Sequence, residues 1–325
     1  MVKLRNFLVI TLIITIFLIS GCVQEVKKIN SVNNIEPLVE SLSRESKIPS
    51  NAVKMIPSMD QHPPILHSDE FEDPVPLDII NSAGAEDSPF ISNYKGELFF
   101  FFTPDVNVPV EKQLLDGVTG IWVSQYQNGA WHEPKRVILQ DSGKLSLDGC
   151  EFVQSNKMWF CTAREGYTGL HWATAERNGN SWNNWKVEDF PVDYEVGELH
   201  IFGNELYYHS SKYGSLGGTD IWMLSNVDGS WVNPVNIKAV NSNFDEGMPY
   251  ITSSGNEMWF NRNYLGTPAL YRSKRVNDDW QTPELMISQF AGEPTLDKKG
   301  NVYFVHHYYD TGKMIEADIY VAYKK

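Results

Sequence analysis

The sequence is poor in basic residues, in cysteine and in helical patterns. Its 325 residues hold 27 Lys and Arg against 41 Asp and Glu, a net charge of -14 at pH 7. This acidic balance lacks the basic footprint of a nucleic-acid-binding protein, so no nucleic-acid partner is expected. Walker-type loops, dinucleotide fingerprints and Gly-x-Ser-x-Gly elbows are also missing, which removes the common signatures of nucleotide-binding proteins and serine hydrolases.

The longest apolar run stands at the N-terminus. A basic start from Met1 to Arg5 precedes an apolar stretch from Phe7 to Ile19, and small residues then lead to Cys22. This order is typical of a secretory signal peptide, and its end resembles the lipobox of bacterial lipoproteins. The resemblance implies cleavage before Cys22, a lipid on its sulfur, and a protein exported and anchored to the outer side of the cell membrane. An ordinary signal peptide and an uncleaved anchor are the alternatives.

The chain divides into three segments by composition. Residues 1–21 are the expected lipoprotein signal peptide. Residues 22–70 are polar and then rich in proline, which favours a flexible tether. Residues 71–325 are rich in aromatic and β-branched residues and carry a repeat.

The repeat has a period of about 50 residues, a length typical of repeated β units. Its clearest feature is a dipeptide whose second residue is aromatic, such as Ile121-Trp122. The aromatic residues, about 50 positions apart, are Trp122, Trp172, Trp222, Tyr271 and Tyr320. In each repeat an acidic residue, a turn and a pair of aromatic residues precede this dipeptide, and in most repeats a turn with a Trp follows it. Four short antiparallel strands per repeat predict an all-β, five-bladed β-propeller.

The last repeat stops after its third strand, and the missing strand appears at the other end of the domain. The segment from Phe71 to Leu77 mirrors the fourth-strand segment from Trp231 to Ile237. We therefore expect residues of about 71–80 to pair with the C-terminal blade and to close the ring. Closure would protect the edges of the first and last blades from pairing with other chains.

The repeats resemble the PD40, or WD40-like, repeats of TolB-type propellers. The third repeat matches best with Gly-Gly-Thr-Asp-Ile-Trp ending at Trp222, and the last keeps Asp318-Ile319-Tyr320. The resemblance covers residues 71–325 and implies the propeller fold. It implies little about function, because propellers host both binding and catalysis.

Two cysteines stand on either side of a predicted hairpin. A two-residue turn after Gln154 pairs this residue with Lys157 and, counting outward, places Cys150 opposite Cys161. Opposed strand residues are close enough for a disulfide in some geometries. Two buried free thiols are the alternative, because the register could slip by one residue.

Acids, bases and aromatic residues are expected at one mouth of the propeller, where they suit a glycan or protein ligand. The predicted ligand-binding residues are Glu86, Glu151, Arg164, Glu198, Lys212, Tyr213, Glu246, Arg262, Glu293 and His306. The sequence thus favours a non-catalytic binding module at the cell surface. An acid beside a base in most repeats is also the pattern of a repeated structural ion pair.

A glycoside hydrolase is the competing function. Five-bladed furanosidases such as arabinanases use three acids at the central cavity, and the resemblance places Asp87, Glu151 and Glu198 in comparable positions. Blades four and five carry the same acid, which argues that these three are not distinct. A purely structural envelope component is the third alternative.

No cofactor is predicted, although the sequence is compatible with a divalent cation in the central channel. The histidines near strand ends (His200, His209, His306 and His307) lack the compact spacing of a metal site. The longest departure from the repeat is the insertion from Thr103 to Thr119, an exposed loop that could cover the mouth.

Overall fold

The computed structural model describes residues 43–92 and 95–325, so the predicted signal peptide and Cys22 lie outside the described residues. The described chain is all-β, which confirms that part of the predicted fold class. Its helical segments are one four-residue α-helix (α1, Val110–Gln113) and two short 3-10 helices, Arg44–Lys47 and Val192–Tyr194. None of these described helices is long and apolar enough to cross a membrane.

Short strands joined by tight turns make up the rest of the fold. In chain order the strands are β1 (Ile65–Leu66), β2 (Val75–Pro76), β3 (Ala85–Ser92), β4 (Glu97–Thr103), β5 (Gly120–Gln127), β6 (Ala130–Trp131), β7 (Lys135–Arg136), β8 (Ser146–Gln154), β9 (Lys157–Arg164), β10 (His171–Asn178), β11 (Ser181–Val187), β12 (Leu199–Phe202), β13 (Glu205–Ser210), β14 (Asp220–Val227), β15 (Ser230–Asn236), β16 (Glu246–Ile251), β17 (Glu257–Tyr264), β18 (Thr267–Val276), β19 (Asp279–Trp280), β20 (Glu284–Ser288), β21 (Ala291–Leu296), β22 (Val302–Asp310) and β23 (Lys313–Ala322).

The described strands form four sheets, and one parallel contact within the largest separates it into two, so antiparallel pairing alone defines five sets. The first set joins β3, β4 and β5 with the short β6 and β7, the second is β8 to β11, and the third is β12 to β15. The fourth joins β16, β17, β18 and β20, with β19 on β18 and β1 on β20. The fifth joins β21, β22 and β23, and its outer strand is β2, which pairs Val75 with Val321. One parallel contact between Ala317 and Ala85 links β23 to β3.

Each set begins with an inner strand: β3, β8, β12, β16 or β21. Contacts run from β3 to β8, from β8 to β12, from β12 to β16, from β16 to β21 and from β21 back to β3. Side chains from different sets therefore meet between the inner strands.

The second strand of each set carries the predicted aromatic pair, and both rings are buried. The pairs are Phe99-Phe100, Trp159-Phe160, Tyr207-Tyr208, Trp259-Phe260 and Tyr303-Phe304. Phe99, for example, packs across to Phe160 and Trp182 of the second set. A buried aromatic side chain removes roughly 150–250 Å² from water, so these contacts between sets supply much of the core.

A β-bulge interrupts four inner strands at the same point. In β3 the ladder skips two residues between Asp87 and Phe90, and β8, β16 and β21 skip two residues at the equivalent place. The first skipped residue has a left-handed backbone in every case: Ser88 (φ 49°), Cys150 (φ 53°), Met248 (φ 49°) and Glu293 (φ 54°). Such a bulge bends the strand and changes the direction of its side chains.

Residues 43–70 differ from the predicted flexible tether, because the structure packs them against the first, fourth and fifth sets. The Lys54 ammonium group donates to the Glu316 carboxylate at 2.7 Å. Asp60 Oδ2 lies 2.8 Å from Nε2 of His306, a ring that is fully buried. The boundary predicted at residue 71 therefore falls inside the folded body.

Cys150 and Cys161 are joined by a disulfide bond, with their Cα atoms 5.5 Å apart. Gln154 lies opposite Lys157 as the turn predicted. The bulge then shifts the register, so Cys161 lies opposite Gly149 and the two cysteines are not directly opposed.

Candidate functional site

The bulges of the inner strands surround a cavity of about 50 Å³. Its lining residues are Ser88, Pro89, Phe90, Cys150, Glu151, Glu198, Leu199, His200, Met248, Pro249, Tyr250, Glu293 and Pro294. Three of these residues are glutamates, and none is lysine or arginine. A space of this size holds one or two water molecules, so a larger ligand would reach in with a single group.

One class of inner-strand acids is committed to ion pairs and does not line the cavity. The pairs are Glu86 with Arg44 at 3.0 Å, Asp148 with Arg164 at 2.8 Å, and Glu246 with Arg262 at 2.7 Å. A serine hydroxyl also donates to each of these carboxylates: Ser82, Ser146 and Ser242. Because these buried carboxylates already have hydrogen-bond partners within the protein, we assign them a structural role.

This pairing corrects part of the predicted ligand-binding face. Glu86 and Glu246 were expected to face a ligand, but both are fully buried in their pairs. The guanidinium groups of Arg164 and Arg262 are occupied by the acids of this class and by backbone carbonyl groups. The repeated structural ion pair therefore accounts for these four residues.

The second class of acids has no cation partner and lines the cavity. Glu151 is 6% exposed and Glu293 is 5% exposed. Neither carboxylate oxygen of Glu151, nor Oε2 of Glu293, has a hydrogen-bond partner. Glu198, which is partly exposed, lines the same space. These three acids are free to act on a ligand.

The two classes differ in register, a feature that the sequence analysis missed. The reference residue of each inner strand is the one paired with the first residue of the aromatic pair, for example His200 with Tyr207. Glu86 and Glu246 stand four residues before that point, Glu198 and Glu293 stand two before it, and Glu151 stands one before it. The acids that looked equivalent are therefore not equivalent. Counting back from the aromatic pair could have separated them.

Burial keeps protons on the cavity carboxyl groups. Burial, followed by the negative charge of Asp87, raises the pKa of Glu198 to about 8. Burial likewise raises the pKa of Glu151 well above its usual range, and the charges of Glu198 and Asp87 add to this rise. The charge of Arg136 opposes the rise at Glu151, but burial outweighs it, so the cavity holds protons at neutral pH.

Asp87 lies beside the cavity, one residue before the bulge of β3. Its Oδ1 accepts the backbone N–H of Ser88 at 2.9 Å and lies 3.7 Å from His307 Nε2. The charge of Asp87 acts on both Glu151 and Glu198. Of the three acids of the predicted hydrolase site, Glu151 and Glu198 line the cavity, and Asp87 precedes the lining residue Ser88.

The histidines act mainly in packing. His200 lines the cavity between Phe152 and Tyr250, each with a ring centroid 4.8 Å away, and burial lowers its pKa to about 3. Burial lowers the pKa of His209 to about 4. His306 forms a hydrogen bond with Asp60 of the N-terminal stretch. In the part of the chain that the structure describes, no three His, Cys, Asp or Glu side chains are grouped to hold a metal ion. A preformed ligand set for the channel cation is therefore not seen there.

The remaining predicted residues lie on the third set. Lys212 Nζ lies 5.3 Å from the ring of Tyr194 and 5.0 Å from that of Trp222, so it is already engaged in cation–π contacts. Tyr213 is fully exposed, and Phe244 and Leu265, which lie in other connections between strands, are largely exposed.

The insertion from Thr103 to Thr119 packs close to the body. Asp116 accepts the backbone N–H groups of Val118 and Thr119, and Val106 packs against a small core cluster. A groove of about 330 Å³ separates part of the insertion from the N-terminal stretch. No residue of the insertion lines the central cavity, so it differs from the predicted cover.

No protein-family model and no curated protein match this sequence. Among solved structures, an endo-arabinase from Bacteroides thetaiotaomicron is similar with a TM-score of 0.49 and 11% identity, over 77% of this chain and 96% of that chain. A protein described as a glycoside hydrolase gives 0.47 and 12%, over 82% and 91%. A gluconolactonase from Xanthomonas campestris gives 0.43 and 12%, over 81% and 95%. The activities named for those proteins are therefore not assigned to this chain on the strength of this similarity.

Proposed function

We propose that the five sets are the blades of a five-bladed β-propeller. The inner strands support this arrangement, because their contacts lead from β3 around to β21 and back to β3. The segment 71–80 would close the ring, because β2 supplies the outer strand of the fifth set. The central cavity would then lie on the propeller axis.

We propose that the protein is a glycoside hydrolase, with Asp87, Glu151 and Glu198 at its active site. One observation carries the proposal: Glu151 and Glu198 line one cavity, Asp87 precedes its lining residue Ser88, and the buried Glu151 has no hydrogen-bond partner. Buried carboxyl groups without partners reduce stability, so their retention points to chemistry. The acids with a structural role on the inner strands are paired with arginines, and they are Glu86, Asp148 and Glu246.

Hydrolysis of a glycosidic bond needs one carboxylic acid and one carboxylate. With a pKa of about 8, Glu198 is protonated at neutral pH and can protonate the leaving oxygen as the bond to the anomeric carbon breaks. The Asp87 carboxylate would accept a proton from the water that attacks this carbon. Glu151 would supply a polar contact that orients the sugar. The products are a free sugar end and an alcohol.

The test is a hydrolysis screen with the purified protein. Aryl furanosides, aryl pyranosides, arabinan and xylan form the panel, and we expect turnover of at least one. Glu198→Gln should then lower kcat by roughly 10²- to 10⁴-fold, the usual contribution of a general acid, with folding intact. Glu165→Gln is the matched control, because this acid lies away from the cavity and pairs with Lys144. No turnover of any glycoside, or a fully active Glu198→Gln, would refute the hydrolase.

A glycan-binding module without turnover is the second candidate. The exposed ring of Tyr213 favours it, because such a ring can stack on a sugar face. Retention of a polysaccharide by both the natural chain and Glu198→Gln, with no product formed, would favour binding over hydrolysis.

We also propose that the protein is exported and anchored by a lipid on Cys22. The disulfide between Cys150 and Cys161 suits an oxidising compartment. Metabolic labelling with a fatty acid tests the anchor. The natural chain should take up label, and Cys22→Ser should not.

A further inference from the structure

Glu293 lines the cavity, but the three-acid mechanism gives it no role. We propose that Glu293 is a neutral hydrogen-bond donor that holds an oxygen atom of the substrate from the side of the fifth set. The proposal rests on the proposed hydrolase function and adds a substrate-binding residue to it.

The backbone around Glu293 is fixed on both sides. Its N–H donates to the side-chain carbonyl of Asn261 at 2.7 Å, and Pro294 follows it. The left-handed φ of 54° places it at the bulge, where side chains turn toward the cavity. The side chain is 5% exposed, and its Oε2 has no partner. Glu293 is therefore a buried carboxyl group held in position with one oxygen available.

No cation neutralises Glu293 among the described residues around it. β21 packs against β3, β16, β17, β18 and β22. The charged groups of known pairing on these strands are Glu86 with Arg44, Glu246 with Arg262, Arg272 with Glu70 and Glu284, Arg275 with Glu205, His306 with Asp60, and His307 near Asp87. Across the cavity stand Glu151, Glu198 and the neutral His200. The charges that Glu293 faces are therefore negative.

A carboxyl group in these surroundings is stable as the neutral acid. Removing a carboxylate from water without a cation or donors is costly, so such a group keeps its proton. Burial raises the pKa of Glu293 well above its usual range, and the charges of Asp87 and Glu198 add to this rise. The Ser88 side chain opposes this rise, but it cannot replace a cation.

A protonated carboxyl group has one O–H to donate, whereas an ionised carboxylate can only accept. A sugar hydroxyl or ring oxygen can accept this hydrogen bond. The substrate would then be held between the donor Glu293 and the carboxylate of Asp87. Glu293 would help to select substrates that carry an oxygen atom at this place.

Two variants test the role in the full-length protein. Glu293→Gln keeps a donor of the same shape, so kcat/KM on the best glycoside of the screen should stay within about threefold. Glu293→Leu has no donor and should raise KM by roughly 10- to 100-fold, with kcat less affected. The alkaline limb of the pH–rate profile should not move in Glu293→Gln, because no charge is removed. Loss of turnover in Glu293→Gln, a shifted alkaline limb, or an unchanged KM in Glu293→Leu would overturn the proposal.

Unfolding by urea between pH 5 and 8 gives a reading that needs no substrate. The natural chain should lose stability as pH rises, because its folded state keeps a proton on Glu293 that the unfolded state releases. In Glu293→Gln the fitted difference in bound protons should fall by about one. If this difference falls and no glycoside is cleaved, the hydrolase fails and the neutral acid stands. If glycosides are cleaved and the difference is unchanged, Glu293 is not the neutral donor.

Discussion

Glu246 and Glu293 stand on adjacent inner strands, yet their surroundings are opposite. Glu246 is bonded to Arg262 and Ser242 and lies away from the cavity. Glu293 stands at the bulge of the next strand, where an oxygen of its carboxyl group has no partner. Residue type does not separate them, and neither does burial. Position relative to the bulge decides whether an acid is structural or faces the cavity.

The largest effect should come from breaking a paired acid. Arg262→Leu leaves Glu246 buried without its cation, which should lower the free energy of unfolding by about 3–5 kcal/mol. Urea unfolding at pH 7 measures the loss. Adding Glu246→Leu should restore much of it, because no charge then remains to be neutralised. A loss below about 1 kcal/mol would contradict the structural role.

A smaller effect should follow from removing the disulfide next to the bulge of β8. The bond closes a loop with a sequence separation of 11 residues. Cys150→Ala with Cys161→Ala should therefore cost about 2–3 kcal/mol, measured by urea unfolding in the absence of reductant. Reducing the natural chain should give a similar loss. Equal stability of the variant and the oxidised chain would show that the bond does not constrain this hairpin.

The smallest effect should be the gain in stability when an acid without a partner is replaced by its amide. The pKa of Glu151 is raised in the folded state, so its stabilising contribution is complete below the unfolded pKa and declines as pH rises. At pH 8 Glu151→Gln should therefore be more stable than the natural chain by about 1 kcal/mol or more. The difference should shrink toward pH 4. A variant that is less stable at pH 8 would place Glu151 in the paired class.

Much of the fold follows from local patterns in the sequence. The aromatic pairs mark the second strands, because two buried rings in succession fit a strand covered on both faces. The likeness between the segments around Pro74 and Pro234 predicts the strand that β2 adds to the fifth set. Both signals lie within a few neighbouring residues.

Long-range partners limit the prediction of the site. The order of landmarks in a repeat places Glu198 and Glu246 at the same point, although their distances to the following aromatic pair differ. The N-terminal stretch looks like a polar linker because Glu316, the partner of Lys54, stands 262 residues away. Composition cannot show such a pairing. The roles of Asp87, Glu151 and Glu198 in turnover stay predictions.

The packing of residues 43–70 has a practical consequence for anyone who shortens this protein. A version that starts at residue 66 keeps β2 but removes Lys54, which touches both Glu316 and Asp318. Those two buried acids would then lose their cation, beside newly uncovered apolar surface. Such a trimmed protein should be prone to aggregate, and a failed glycan assay with it would say nothing about the cavity.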